Sequence, residues 1–188
     1  MVLMEQKYNI TELKDRYQRG ETLKYIFFWG HTPSKDRLTK TCFSQWYECT
    51  FIVDGVEYKT AEQYMMAQKA LLFKDMKIFE QIMAASHPRE YKALGRKISN
   101  FKESVWNQNK VQIVIQGNLA KFGQNKEFKE FLLQTGSRIL VEASPYDKIW
   151  GIGLSADTPN LENPNIWKGE NLLGFALMEV REQLQKEG

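Results

Sequence analysis

The sequence predicts an α+β fold, a single domain with a small β-sheet surrounded mostly by α-helices. Three observations predict it. Tyr25-Ile-Phe-Phe-Trp29 and Arg138–Glu142 are short runs rich in β-branched and aromatic residues. Asp54-Gly55 sits between two such runs, Glu48–Val53 and Val56–Tyr58, and is a strong short hairpin signal. Most of the rest carries apolar residues at helical spacing, punctuated by caps and glycines.

The elements follow in order. Thr11–Arg19 reads as a short helix ended by Gly20, an accessory element in an N-terminal segment spanning residues 1–22, with the main domain at 23–188. After the first strand, Gly30 and His31 stand at a strand end, where loops often carry function. Residues 32–41 form a polar loop, and the hairpin leads directly into a helix from Ala61 to Phe73. Asp75 caps a helix reaching about Ala85, with Ile78, Phe79, Ile82 and Met83 as its apolar stripe. Pro88 starts another helix, with Gly95-Arg96-Lys97 near its end. Glu103–Phe122 is a long helix closed by Gly123, and Lys126–Gln134 one closed by Gly136. Residues 143–170 make a long loop containing Trp150-Gly-Ile-Gly153 and Trp167, and loops of this length are commonly functional. Asn171 caps a final helix, Leu172–Gln185.

Composition narrows the function classes. The 188 residues are 43% hydrophobic and 26% charged, an ordinary globular balance. No apolar run reaches the ~20 residues that span a bilayer. The opening Met-Val-Leu-Met-Glu lacks the layout of a signal peptide, and two cysteines without a disulfide framework make a reducing cytoplasm the expected setting. Cys42 and Cys49 offer neither a disulfide framework nor a metal spacing, and with only His31 and His87 no metal and no cofactor are expected. A net charge of +3 is too weak to imply nucleic-acid binding by itself but permits a local anion site. The sequence does not fix the oligomeric state.

The stretch Tyr58–Phe73 organises the chain. Thr60 and Gln63 fit a capping box. The apolar residues after it point all round the axis, which marks a helix enclosed by protein. Glu62 and Lys69 lie seven residues apart, two turns and roughly 10 Å of rise, on one face with Met66 between them. An internal ion pair is the ordinary reading of two such charges. Burying ionised groups costs several kcal/mol each, and chemistry is one reason to keep them.

Taken together, Phe28-Trp-Gly-His31, Phe43-Ser-Gln-Trp46, Asp54-Gly55 with Tyr58, Thr60-Ala-Glu-Gln-Tyr64 with Ala67-Gln-Lys69, Leu94-Gly-Arg96, Trp106, Ser144-Pro145 with Asp147 and Trp150-Gly151, and Asn171-Leu-Leu-Gly174 form an ordered set. With this set the chain resembles the NADAR superfamily and its YbiA-like N-glycosidases, from about Tyr25 to Leu184. It departs from much of the family at Gln45-Trp46, where Asn-Phe is common, and at Gln63, where His often follows the Glu. The resemblance implies cleavage of a base–ribose N-glycosidic bond without metal or cofactor. The implied substrates are the phosphoribosylamino-pyrimidine intermediates of riboflavin synthesis, with release of ribose 5-phosphate. Alternatives are removal of ADP-ribose from guanine, free or in nucleic acid, and a non-catalytic module binding ADP-ribose or another nucleotide. By motif match the family's functional residues are Glu62, Trp106, Asp147 and Trp150, with Lys69 as its helix lysine.

The chemistry of these residue types fits. Breaking such a bond builds oxocarbenium character on the ribose and needs negative charge and a nucleophile nearby. Glu62, in the first turn of its helix, can stabilise the cation or activate water. Lys69, desolvated among apolar neighbours, can act as an acid or as an amine forming an imine with the opened sugar. Asp147 is either a ribose ligand, a partner in proton transfer or an ordinary turn aspartate. Trp46, Trp106 and Trp150 are candidates to stack on the base. Arg96 is the candidate phosphate contact, since Gly95 beside it allows close backbone approach; Gly151 and Gly153 can offer backbone N–H groups to an anion, and Gly30 is a candidate substrate contact. Partners are thus a phosphorylated ribosyl-base and, in the alternative reading, ADP-ribosylated nucleic acid; no membrane is expected.

Overall fold

A computed structural model describes residues 7–187. The expectations about the first five residues therefore lie outside the described part. The helices are α1 Ile10–Gln18, α2 Ala61–Leu72, α3 Met76–Ala84, α4 Pro88–Gly95, α5 Glu103–Gly123, α6 Lys126–Leu133 and α7 Leu172–Lys186. The strands are β1 Tyr25–Phe28, β2 Phe51–Val53, β3 Val56–Tyr58 and β4 Ile139–Glu142. The fold class is α+β, as expected. The small sheet is realised as two separate two-stranded ladders, β1–β4 and β2–β3. Two compact units result: the described residues up to Gly30 together with those from Glu130 on, and His31–Lys129.

In the His31–Lys129 unit, β2 and β3 pair antiparallel with Phe51 opposite Tyr58. Asp54 and Gly55 turn the hairpin with φ of 50° and 77°, both positive as a two-residue hairpin turn of type I′ requires. The free side of β2 is closed by Gln124, whose Oε1 accepts from Ile52 N while its Nε2 donates to Ile52 O. Directly after β3, Thr60 caps α2: its Oγ1 accepts from Gln63 N, and Gln63 Oε1 accepts from Lys59 N. Residues Ala61–Ala67 and Ala70 are all buried, because α3, α4 and α5 pack around α2. Two glycines permit that approach. A Cβ on Gly95 of α4 would overlap the Met66 sulfur, and one on Gly117 of α5 would overlap the Tyr64 ring.

In the other unit, β1 and β4 pair in parallel, with Tyr25 opposite Ile139 and Phe28 opposite Glu142. Leu140 and Val141 are fully buried, and α7 packs on β4. Asn171 stands at the N-cap position of α7, yet its side chain does not cap the helix. It adopts φ 55° and turns its amide onto β4, where Oδ1 accepts from Glu142 N and Nδ2 donates to Leu140 O. Two bonds to strand backbone replace the expected single cap bond. The long loop is ordered by its own backbone: Ile152 N donates to Glu142 O, Lys168 N to Ile152 O, and Asn171 N to Gly151 O. Trp167 is buried with its Nε1 donating to Leu161 O, which makes it a core residue of that loop.

Among the described residues, no helix is long and apolar enough to cross a membrane.

Candidate active site

The capped first turn of α2 carries Glu62, which is only 4% exposed. Its backbone N donates to Gln45 O at 2.9 Å, so the segment Cys42–Trp46 is laid over the start of α2. Helix α5 holds that segment from the other side. Asn118 Nδ2 donates to Gln45 Oε1 at 2.8 Å, and Lys121 Nζ donates to Cys42 O and Ser44 O at 2.6 and 2.9 Å. Lys121 is completely buried, and burial lowers its pKa to about 8. Beside it, burial pushes the Cys42 thiol up to about 12. This support was not anticipated. Its trace in the sequence is Asn118 and Lys121, which follow Val114 at helical spacing on one buried face of α5 and are polar where apolar residues are the rule.

Two turns further along α2, Lys69 is half-buried. Its Nζ donates to Gly95 O at 3.0 Å and lies 4.6 Å from the Phe101 ring centroid and 5.2 Å from that of Trp106. Burial lowers the pKa of this amine and nearby Arg96 lowers it further, while the charge of Glu62 raises it. Lys69, Trp106, Arg96 and Glu62 are thus electrically or sterically coupled inside one unit. Phe101 joins them. Sequence reasoning missed it because it stands in a short loop between α4 and α5, outside any periodic pattern.

Trp46 is half-buried, with the rings of His31 and His87 beside it at 5.4 and 6.5 Å. His87 also caps α4 by accepting from Arg89 N at its Nδ1.

The remaining candidates belong to the other unit. Asp147 Oδ1 accepts from Ile149 N at 2.9 Å and Trp150 N at 2.8 Å, while its own N–H donates to Ser144 Oγ. The carboxylate therefore orders the turn that presents the half-buried Trp150. Gly151 is close-packed: a Cβ there would stand 2.8 Å from Glu142 O and 3.1 Å from Asp147 O. The Gly153 N–H, an expected anion donor, is engaged with Asp147 O at 3.0 Å. Gly30, two residues beyond β1, has φ 83° and open space where a Cβ would be.

Comparison with known proteins gives the family. The family model described as NADAR domain matches residues 27–185. The chain belongs to the NADAR family. It is 47% identical over 171 residues to N-glycosidase R617 of Acanthamoeba polyphaga mimivirus, covering 88% of this chain and 99% of that one. It is 37% identical over 135 residues to N-glycosidase YbiA of Escherichia coli (strain K12), covering 72% and 76%. The NMR structure of the E. coli protein YbiA superimposes with a TM-score of 0.70 at 31% identity, covering 100% of this chain and 95% of that one. The chain is a NADAR N-glycosidase, a hydrolase acting on N-glycosyl compounds.

Proposed function

We propose that the chain hydrolyses the base–ribose bond of phosphoribosylamino-pyrimidines, the early intermediates of riboflavin synthesis, and releases ribose 5-phosphate. The observation that carries this reading is the half-buried Lys69 amine, held by Gly95 O between two aromatic rings on the helix that bears Glu62. Arg96 is close enough to be felt at Lys69, so a guanidinium suited to the phosphate of a ribosyl-base lies in the region of the amine.

Hydrolysis through the amine exchanges the base–C1 bond for a lysine–C1 bond and then gives that second bond up to water. Neutral Lys69 attacks C1 of the ribose, and the base departs with a proton. The sugar opens on the lysine to an imine, and water releases ribose 5-phosphate and restores the amine. Glu62 supplies negative charge for the oxocarbenium-like stage, accepts the proton that the amine loses and passes it to the departing base. A second course has support as well. The Gly95 carbonyl, the two ring faces and Glu62 all favour the ammonium form of Lys69. In that course Lys69 stays charged and acts as an acid, and water assisted by Glu62 attacks C1. In the unit that carries Asp147, we assign its carboxylate to ordering the turn of Trp150 and Gly151, the loop residues proposed as substrate contacts. Free Cys42 and Cys49 fit a reducing, cytoplasmic setting.

Mass spectrometry of products tests the substrate. Incubation with a ribosylaminopyrimidine phosphate should give the free aminopyrimidine and ribose 5-phosphate. Release of ADP-ribose from an ADP-ribosylated guanine oligonucleotide, with no reaction on the pyrimidine, would replace this reading with the guanine one.

A further inference from the structure

We propose that Phe101 is a positioning residue for Lys69: its ring holds the lysine ammonium in place, and Asp75 holds the ring in place through Ser99. The role matters for function only if Lys69 is the reacting group proposed above.

Three observations converge on Phe101. It is 44% exposed, unusual for a large aromatic beside a buried helix. Its ring lies 4.6 Å from Lys69 Nζ, nearer than the Trp106 ring. It also packs against Phe73 at the end of α2, with 5.2 Å between ring centroids. A flexible lysine stem with three rotatable donors has no preferred end point of its own. Gly95 O fixes one direction and the two rings fix the others, so removing one ring frees the amine to swing.

The loop that carries Phe101 is tied down by one carboxylate. Asp75 Oδ1 caps α3 by accepting from Ile78 N at 3.1 Å. Its Oδ2 accepts both the backbone N and the Oγ of Ser99, each at 2.8 Å. Ile98, just before Ser99, is buried, and Asn100 turns the chain with φ 56°. Ile98 and Ser99 are thereby pinned, and Phe101 follows two residues on.

The charged groups felt at Lys69 are Glu62 from its own helix and Arg96 at the end of α4, while α5 presents the uncharged Trp106 ring. Neither charge is touched when Phe101 becomes Leu, which keeps apolar bulk and removes only the π face.

The experiment is NMR titration of the protein labelled with [13Cε]lysine, with Lys69 assigned by the signal lost in Lys69→Arg. In Phe101→Leu the Lys69 midpoint should fall by about half a pH unit, the ~3-fold loss of ammonium preference that one cation–π contact accounts for. Phe101→Tyr, which keeps the ring face, should titrate like the wild type. Ser99→Ala should shift in the same direction by less. An unchanged or raised midpoint in Phe101→Leu overturns the proposal. If that variant does not fold, Ser99→Ala decides alone, and an unmoved midpoint there overturns it equally. The pH–rate profile of the same variants separates the two claims. If the NMR midpoint moves and the rate profile does not, Phe101 positions Lys69 and the catalytic role of Lys69 falls.

Discussion

Lys69 Nζ donates to the Gly95 carbonyl at 3.0 Å, joining the last turn of α2 to the last residue of α4. The bond completes the C-terminal end of α4, where carbonyls lack helical partners and the dipole favours a cation. The same glycine lets α4 approach α2, since a Cβ there would overlap Met66, the residue between Glu62 and Lys69.

That double duty makes Gly95→Ala informative. The added methyl must displace Met66, and overpacking of this kind costs about 1–3 kcal/mol. We expect a lower urea midpoint with unchanged m. We also expect the double variant with Met66→Ala to lose less than the sum of the singles, because the two residues meet. Full additivity would contradict the close packing of α2 on α4.

Glu62→Gln keeps shape and burial and removes the charge. It should fold like the wild type by circular dichroism and lose base release by about 10²-fold or more. Near-wild-type turnover would take Glu62 out of the mechanism.

Lys121 gives a stability prediction with a defined pH window. Its folded-state pKa is lowered to about 8 from the ordinary 10.5 because the amine is buried. Between those values the unfolded chain binds more proton than the folded one, so this group makes stability rise with pH there. Its unfavourable burial acts in full below about pH 8 and is relieved by about pH 10.5. Denaturant melts of the wild type and Lys121→Met across that range should show the wild type gaining on the variant, by on the order of 3 kcal/mol in total. A difference that stays flat, or runs the other way, contradicts a buried ammonium at this position.

Among the described residues no group of three or more His, Cys, Asp or Glu is placed to hold a metal ion. Turnover is expected to persist after exhaustive chelation. Loss with EDTA that one defined metal restores would refute this expectation.

Local chemistry was legible where it is local. The Asp54-Gly55 turn, the Thr60 cap and the all-round burial of α2 follow from residue types within a few positions of one another. Asn171 misled because its position fits a cap, while its amide finds two strand partners 29 and 31 residues away. The partners of Lys69 were hidden for the same reason: Gly95 and Phe101 reach it across 26 and 32 positions, and no periodicity connects them. A single sheet was expected because four short β-prone runs look alike in sequence. Which runs pair depends on long-range packing, and the chain uses them as one parallel and one antiparallel ladder.

The central claim is that the amine of Lys69 attacks the sugar, and chemical trapping tests it most directly. Borohydride added during turnover of a ribosylaminopyrimidine phosphate should reduce the imine and fix one ribose 5-phosphate on the peptide containing Lys69, read by peptide mass spectrometry. Lys69→Arg should abolish both trapping and turnover, since a guanidinium stays charged and cannot attack. Undiminished turnover in Lys69→Ala, with no sugar trapped on the wild type, would contradict the claim and leave water as the attacking group.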